Sequence, residues 1–287
     1  MEGSYIKRTL IEGSPSLKKK LIGIVLFTTL EINKEMLDLT VAVNFTSILK
    51  TFLSQKQWKL FDSIKRKISF GIFEKSLIKV YGNKSIGSGV LVAVQNKQYI
   101  LTCSHVLENL KNGDIINCEY LKGNIQTKLI WRNLDYSKPY DLAILLPKFQ
   151  LSPSFCAQIA TDCHTSQEVV ATGIPFYNPA SEFNPSQFYG HITNWSHGLI
   201  QHDAIVHYGQ SGGPLFDLNG NVLGICVSNL KYEDKIYPKM CFAINLIGIK
   251  SVLEKFNSSN DIADLEVLGN VPEDITLKCS LETKHKL

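Results

Sequence analysis

The sequence predicts an all-β chain preceded by a mixed N-terminal extension. Three observations point there. Apolar residues from about position 87 onward fall in short, strand-length runs, among them Val90-Leu91-Val92, Tyr99-Ile100-Leu101-Thr102 and Leu142-Ala143-Ile144-Leu145-Leu146, bounded by Gly, Pro, Asn and Ser. One run feeds directly into a histidine, His105, and another is preceded by an acid, Asp141. Further on, Gly209-Gln210-Ser211-Gly212-Gly213-Pro214-Leu215 is a glycine-rich loop built around a single serine.

Taken in order, residues 1–72 are the mixed part. Met1-Glu2-Gly3 does not open a secretory signal, and Lys18-Lys19-Lys20 followed by Leu21 to Leu30 lies too far in and is too short to span a bilayer. A buried strand is expected there. Leu37, Leu39, Val41 and Val43 alternate with polar or small residues as a strand does. Gln55 to Ile68 reads as a helix, with Trp58, Phe61, Ile64 and Ile68 on one side and Lys59, Lys65, Arg66 and Lys67 elsewhere. It is expected to pack with its basic face in water; membrane or partner contact is the alternative. Gly87-Ser88-Gly89-Val90-Leu91-Val92 starts a strand, and the Tyr99–Thr102 strand completes a first hairpin with His105 at its edge, followed by one helical turn. Asn178-Pro179 to Asn184-Pro185 reads as a polar loop, and Asn257-Ser258-Ser259-Asn260 has linker composition.

The chemistry follows from what a serine lacks. Its hydroxyl is a poor nucleophile at neutral pH, and it needs a base and a cradle for the oxyanion it creates. His105 is the candidate base, because an imidazole titrates at about 6.5. Asp141, beside an apolar run, is the candidate carboxylate to orient it, since a buried charge requires a partner. Asp135 is its rival, in the more polar stretch Arg132-Asn133-Leu134-Asp135-Tyr136. Glycines at 209, 212 and 213 permit positive φ and close approach, so the N–H groups of Gly209 and Ser211 are the expected cradle. The order along the chain is His, Asp, Ser.

Leu101-Thr102-Cys103-Ser104-His105-Val106, Ile200 to Ser211, Gly220-Asn221-Val222-Leu223-Gly224-Ile225-Cys226-Val227-Ser228-Asn229, and Tyr237-Pro238 with Phe242-Ala243-Ile244 resemble trypsin-like serine proteases related to the HtrA/Deg group. They are most similar to the family of peroxisomal leader peptide-processing proteases, over roughly residues 75–250. The resemblance implies a chymotrypsin-like double six-stranded β-barrel, with residues 73–155 as first barrel, 156–255 as second and 256–287 as tail. It implies a serine endopeptidase with triad His105, Asp141 and Ser211, which trims leader peptides from imported enzymes and cuts multidomain β-oxidation enzymes. Val227, Ser228 and Asn229 would line the substrate. By offset from Ser211, Ile205 stands where a trypsin-like enzyme carries a basal Asp, so a small or apolar residue is expected before the scissile bond, with nearby Asp203 as the complication. His207 is expected to line the cleft. Gln210 stands where digestive family members carry an Asp that pairs with a newly cut N-terminus, so activation by that ion pair is not expected. Two departures are a short N-terminal region and no PDZ-like domain after the protease.

The formal charge of +4 over 287 residues does not suggest nucleic acid, and no membrane span, cofactor or metal is expected. The seven cysteines, an odd number, are expected as reduced, mostly buried thiols; Cys156, Cys163 and His164 are the weak metal alternative. The C-terminus, His285-Lys286-Leu287, approximates a peroxisomal small–basic–leucine import signal, with His285 departing from it. Protein or peptide substrates and a peroxisomal import receptor are the expected partners, an oligomer is open, and the peroxisome matrix is the expected compartment, the cytoplasm its alternative. Two other functions stay open: an HtrA-like quality-control protease of another compartment, and a catalytically silent scaffold of protease fold.

Overall fold

The computed structural model describes residues 73–134, 140–175, 183–196, 198–232 and 235–269, with backbone alone for 228–232 and 235–238. The strand and helix expected within residues 1–72, the rival Asp135, and the C-terminal tripeptide His285, Lys286 and Leu287 lie outside the described residues.

Six strands form a first closed barrel: β1 (Leu77–Tyr81), β2 (Ile86–Val94), β3 (Lys97–Thr102), β4 (Ile115–Tyr120), β5 (Gly123–Arg132) and β6 (Ala143–Pro147). Six more form a second: β7 (Glu168–Gly173), β8 (Ser186–Trp195), β9 (Leu199–His202), β10 (Pro214–Asp217), β11 (Val222–Tyr232) and β12 (Lys235–Asn245). The first ring runs β1-β2-β3-β6-β5-β4, and the second runs β7-β8-β9-β12-β11-β10, so both halves share one strand order. All pairings between these strands are antiparallel. Closure leaves no free sheet edge in either ring.

The short apolar runs are continuous rather than alternating because many strands are buried on both faces. Leu91 and Ile100 point into the first barrel with Ile78, Leu129 and Leu145. Their neighbours Val90, Val92, Tyr99 and Leu101 point outward, into a core shared with Val170, Phe216, Ile225 and Ile244 of the second barrel. Successive side chains on a strand face opposite ways, so apolar residues at every position seal the barrel interior and the inter-barrel seam together. Each such aliphatic side chain contributes about 2 kcal/mol on burial.

Helix α1 (Ile247–Ser259) covers that seam, burying Ile249, Leu253 and Phe256 along one face. Here the structure departs from the linker expected at Asn257-Ser258-Ser259-Asn260. Asn257 to Ser259 form the last turn of α1, and Asn260, at φ +55°, closes it with its N–H on the Phe256 carbonyl at 2.8 Å. Asn257 belongs to the fold because its amide donates to the Val94 carbonyl at 2.9 Å and accepts from the Tyr99 hydroxyl. Polar composition resembled a linker, but Asn257 is spent on the first barrel, and the Ser258 hydroxyl donates back to the Glu254 carbonyl at 3.1 Å within the helix. Among the described residues no helix is long and apolar enough to cross a membrane.

Candidate active site

His105 sits in a 3-10 turn, Ser104–Leu107, where the chain leaves β3. The turn is strapped from outside. The Ser104 hydroxyl donates to the Asn133 carbonyl at 2.5 Å, and Arg132 Nη1 donates to the Leu107 carbonyl at 2.8 Å. Asp141 lies two residues before β6, on the strand paired with β3, so register brings acid and imidazole together. Its Oδ1 accepts the His105 backbone N–H at 2.9 Å, and its Oδ2 is hydrogen-bonded to His105 Nδ1. The Asp141 side chain is 3% exposed and that of His105 42%, so one is anchored and the other open. A carboxylate accepts only, so this contact places the proton on Nδ1 and leaves Nε2 as the basic nitrogen.

Ser211 lies between β9 and β10, on the second barrel's side of the seam. Ser88, in the glycine-flanked start of β2, ties the loop to the first barrel. Its N–H donates to the Ser211 carbonyl at 2.9 Å, and its hydroxyl donates to the Gly209 carbonyl at 2.8 Å while accepting the Ile174 N–H at 2.9 Å. Gly212, at φ +84°, passes so close to β2 and β3 that a Cβ there would fall 2.2 Å from the Ser88 carbonyl oxygen and 2.8 Å from the Cys103 nitrogen. The nucleophile loop therefore abuts the chain two residues before His105. The Ser211 hydroxyl donates to the Val227 carbonyl at 3.4 Å. Gly209 takes φ +88°, and among the described residues no acceptor takes the N–H of Gly209 or Ser211. Unspent backbone donors on either side of Gln210, one of them the nucleophile's own N–H, are what an oxyanion cradle requires.

The expected substrate-lining residues are spread around this loop. Ile205 is half-buried between buried Ala204 and Val206. His207 is exposed, with its ring edge-on to Phe188 at 5.1 Å between centroids. Val227 occupies a β-bulge: Cys226 pairs with Ala243 and Ser228 with Phe242, which leaves Val227 unpaired and turns its carbonyl to Ser211. Ser228 and Asn229 are placed on β11 by backbone register alone, against Phe242 and Cys241. Asp203 accepts the His191 backbone N–H at 2.5 Å, on β8. Ser88 was not singled out as part of the site by sequence reasoning, and Gln210 was read only for the activating ion pair it does not form. The Gly87-Ser88-Gly89 run was the one signal for Ser88, read only as a strand start.

Three metal-type donors come together once among the described residues, at Cys103, His105 and Asp141, within 4.8 Å of one another. Two of those three are already bonded to each other. Cys163 is buried with Asn245 Nδ2 4.0 Å from its sulfur, while His164 is exposed, its Nδ1 against the Thr165 carbonyl. The six described cysteines are free thiols. Burial pushes Cys118 up to about 12 and Cys241 to about 11, and raises Cys226 as well. Burial pushes His202, beneath the site, down to about 4.

Two closed six-stranded antiparallel barrels with a shared strand order define the chymotrypsin-like class of proteins. Residues 87–225 match the trypsin-like peptidase domain. It is 26% identical over 208 residues to the peroxisomal leader peptide-processing protease of Homo sapiens, covering 68% of this chain and 35% of that protein. It is 27% identical over 192 residues to the serine protease Do-like HtrA of Bacillus subtilis, covering 61% of this chain and 40% of that protein. The chain thus spans little more than a third of the length of these curated relatives. A crystal structure of the serine endoprotease from Yersinia pestis aligns with TM-score 0.53 and 25% identity, over 67% of this chain and 66% of that one.

Proposed function

We propose that this chain is a serine endopeptidase of peroxisomal matrix proteins, removing leader peptides and cutting multidomain β-oxidation enzymes. The observation that carries the catalytic part is the two-point bond between Asp141 and His105 beside the Ser211 loop. Ser211 attacks a peptide carbonyl as His105 Nε2 takes its proton, and the N–H groups of Gly209 and Ser211 hold the oxyanion. His105 then protonates the leaving amine, and water, activated by the same nitrogen, releases the acyl group. No cofactor enters this cycle.

Specificity follows from Ile205 and Asp203. The half-buried Ile205 offers no counter-charge, and the Asp203 carboxylate is engaged by the His191 N–H. A small or apolar residue before the scissile bond fits this, whereas a desolvated Lys or Arg would lack a partner. A peptide library preferring arginine would contradict it.

The likeness to a human peroxisomal protease and the terminal His285-Lys286-Leu287 support the compartment and an import receptor as partner. The likeness to Do-like HtrA supports a second reading, quality control in another compartment. A fluorescent protein ending in residues 276–287 separates them: punctate peroxisomal signal supports the first, diffuse signal the second. Replacing Ser211 with Ala tests the chemistry itself. Peptidase activity and fluorophosphonate labelling should both vanish, and retained activity overturns the assignment. Wild-type protein that folds but never labels is instead a scaffold.

A further inference from the structure

We infer that Gln210 is a positioning residue whose side-chain oxygen helps hold the oxyanion cradle in its working shape. This rests on the peptidase reading above.

The turn His207-Tyr208-Gly209-Gln210 is closed twice. Its backbone bond runs from the Gln210 N–H to the His207 carbonyl at 3.0 Å. In the other direction, the His207 N–H donates to Gln210 Oε1 at 2.6 Å. Gly209 occupies the third position of this turn at φ +88°, the value a type II turn demands there. Types I and II differ by a flip of the peptide between the second and third residues. Here that peptide joins Tyr208 to Gly209. In one state it presents the Gly209 N–H to the site; after a flip it presents the Tyr208 carbonyl instead. Whatever favours one turn type over the other therefore sets the charge seen by a developing oxyanion. Glycine permits both, so Gly209 alone does not choose.

Gln210 supplies the bias. Gln210 is 1% exposed, and its side chain packs on Gly173, whose absent Cβ would lie 2.9 Å from both Gln210 Cβ and Cγ. Gly173 at the end of β7 is thus the seat of this side chain. The Gln210 carbonyl accepts the Gly213 N–H at 2.8 Å, which anchors the far side of Ser211 as well. The amide orientation is dictated by chemistry, since only Oε1 can accept from an N–H. Its Nε2 is then buried with no partner among the described residues. A carboxylate would accept equally well, yet leave a buried charge uncompensated unless protonated.

That asymmetry gives a test which a merely structural role would not pass. Wild type, Gln210→Met, Gln210→Glu and Ser211→Ala are assayed on fluorescently labelled casein and with a fluorophosphonate, with melting curves for each. Gln210→Met keeps the volume and removes the acceptor. Its kcat should fall by about 10²-fold, the usual effect of losing one oxyanion donor, with KM within about threefold of wild type. Gln210→Glu keeps the acceptor but buries a charge without a counter-ion, so its kcat should fall below wild type near pH 8. Its activity relative to wild type should rise roughly tenfold on going to pH 6, as the buried carboxyl protonates and mimics the amide. A folded Gln210→Met with wild-type kcat, or a Gln210→Glu ratio that does not change with pH, overturns the proposal. If Ser211→Ala abolishes activity in the same series, that failure falls on Gln210 alone. If wild type neither cleaves casein nor labels, the peptidase reading fails and takes this one with it.

Discussion

Replacing Asp141 with Asn separates the electrostatic work of the carboxylate from its structural work. In the native site one carboxylate oxygen accepts the His105 backbone N–H at 2.9 Å and the other engages His105 Nδ1. Asparagine has one acceptor oxygen. Kept on the backbone N–H, it turns its NH₂ toward the ring, which then accepts at Nδ1 and carries its proton on Nε2. The nitrogen facing the site is then unable to take a proton from Ser211. A wrong tautomer of this kind costs about 10⁴-fold in kcat. Stability should barely follow. The backbone bond survives, and the exchange of a charge-assisted for a neutral hydrogen bond, about 1 kcal/mol, is opposed by release of a 3%-exposed carboxylate from its desolvation. A Tm within about 4 °C of wild type is expected for a domain of this size. Hydrolysis of a labelled protein substrate beside a melting curve measures both. An Asn variant within about tenfold of wild-type kcat would refute the tautomer argument.

Three further outcomes follow from the structure. Gly212→Ala should destabilise the fold by roughly 3 kcal/mol, from an L-residue at φ +84° and a Cβ set 2.2 Å from the Ser88 oxygen, read as a shift in urea midpoint; an unchanged midpoint contradicts the seam contact. His202 is fully buried and titrates near 4 when folded, against about 6.5 unfolded, so the unfolded chain binds its proton first as pH falls. Stability from this group is whole above pH 6.5 and declines by roughly 3 kcal/mol towards pH 4, and His202→Leu should flatten that part of the pH–midpoint curve. Buried thiols with raised pKa should alkylate slowly in folded protein near pH 8, the half-buried Cys156 before Cys226 and Cys241, as followed by mass spectrometry; fast native labelling of Cys226 would sink this.

The architecture was legible because its determinants are local. Runs such as Tyr99-Ile100-Leu101-Thr102 are short, β-rich and flanked by turn formers, and both predicted strands around His105 pair as expected. His105 and Asp141 were recognisable because an acid beside an apolar run must find a partner, and register supplies one. Asn257 to Asn260 misled because composition reports polarity, not what the polar groups meet. Ser88 was invisible as a clamp because its three bonds reach Gly209, Ile174 and Ser211, far along the chain.

By itself, then, the chain determined its strands, its glycine-marked loop and the identity of its titratable residues, since those depend on side-chain type and near-neighbour pattern. Only the tertiary structure decided which carboxylate met the imidazole in a two-point bond, that Val227 bulges its carbonyl to Ser211, and that Gln210 folds inward onto Gly173. The first two are hydrogen bonds between residues 36 and 16 positions apart and the third is a packing contact, and barrel closure, not local preference, brings all three together.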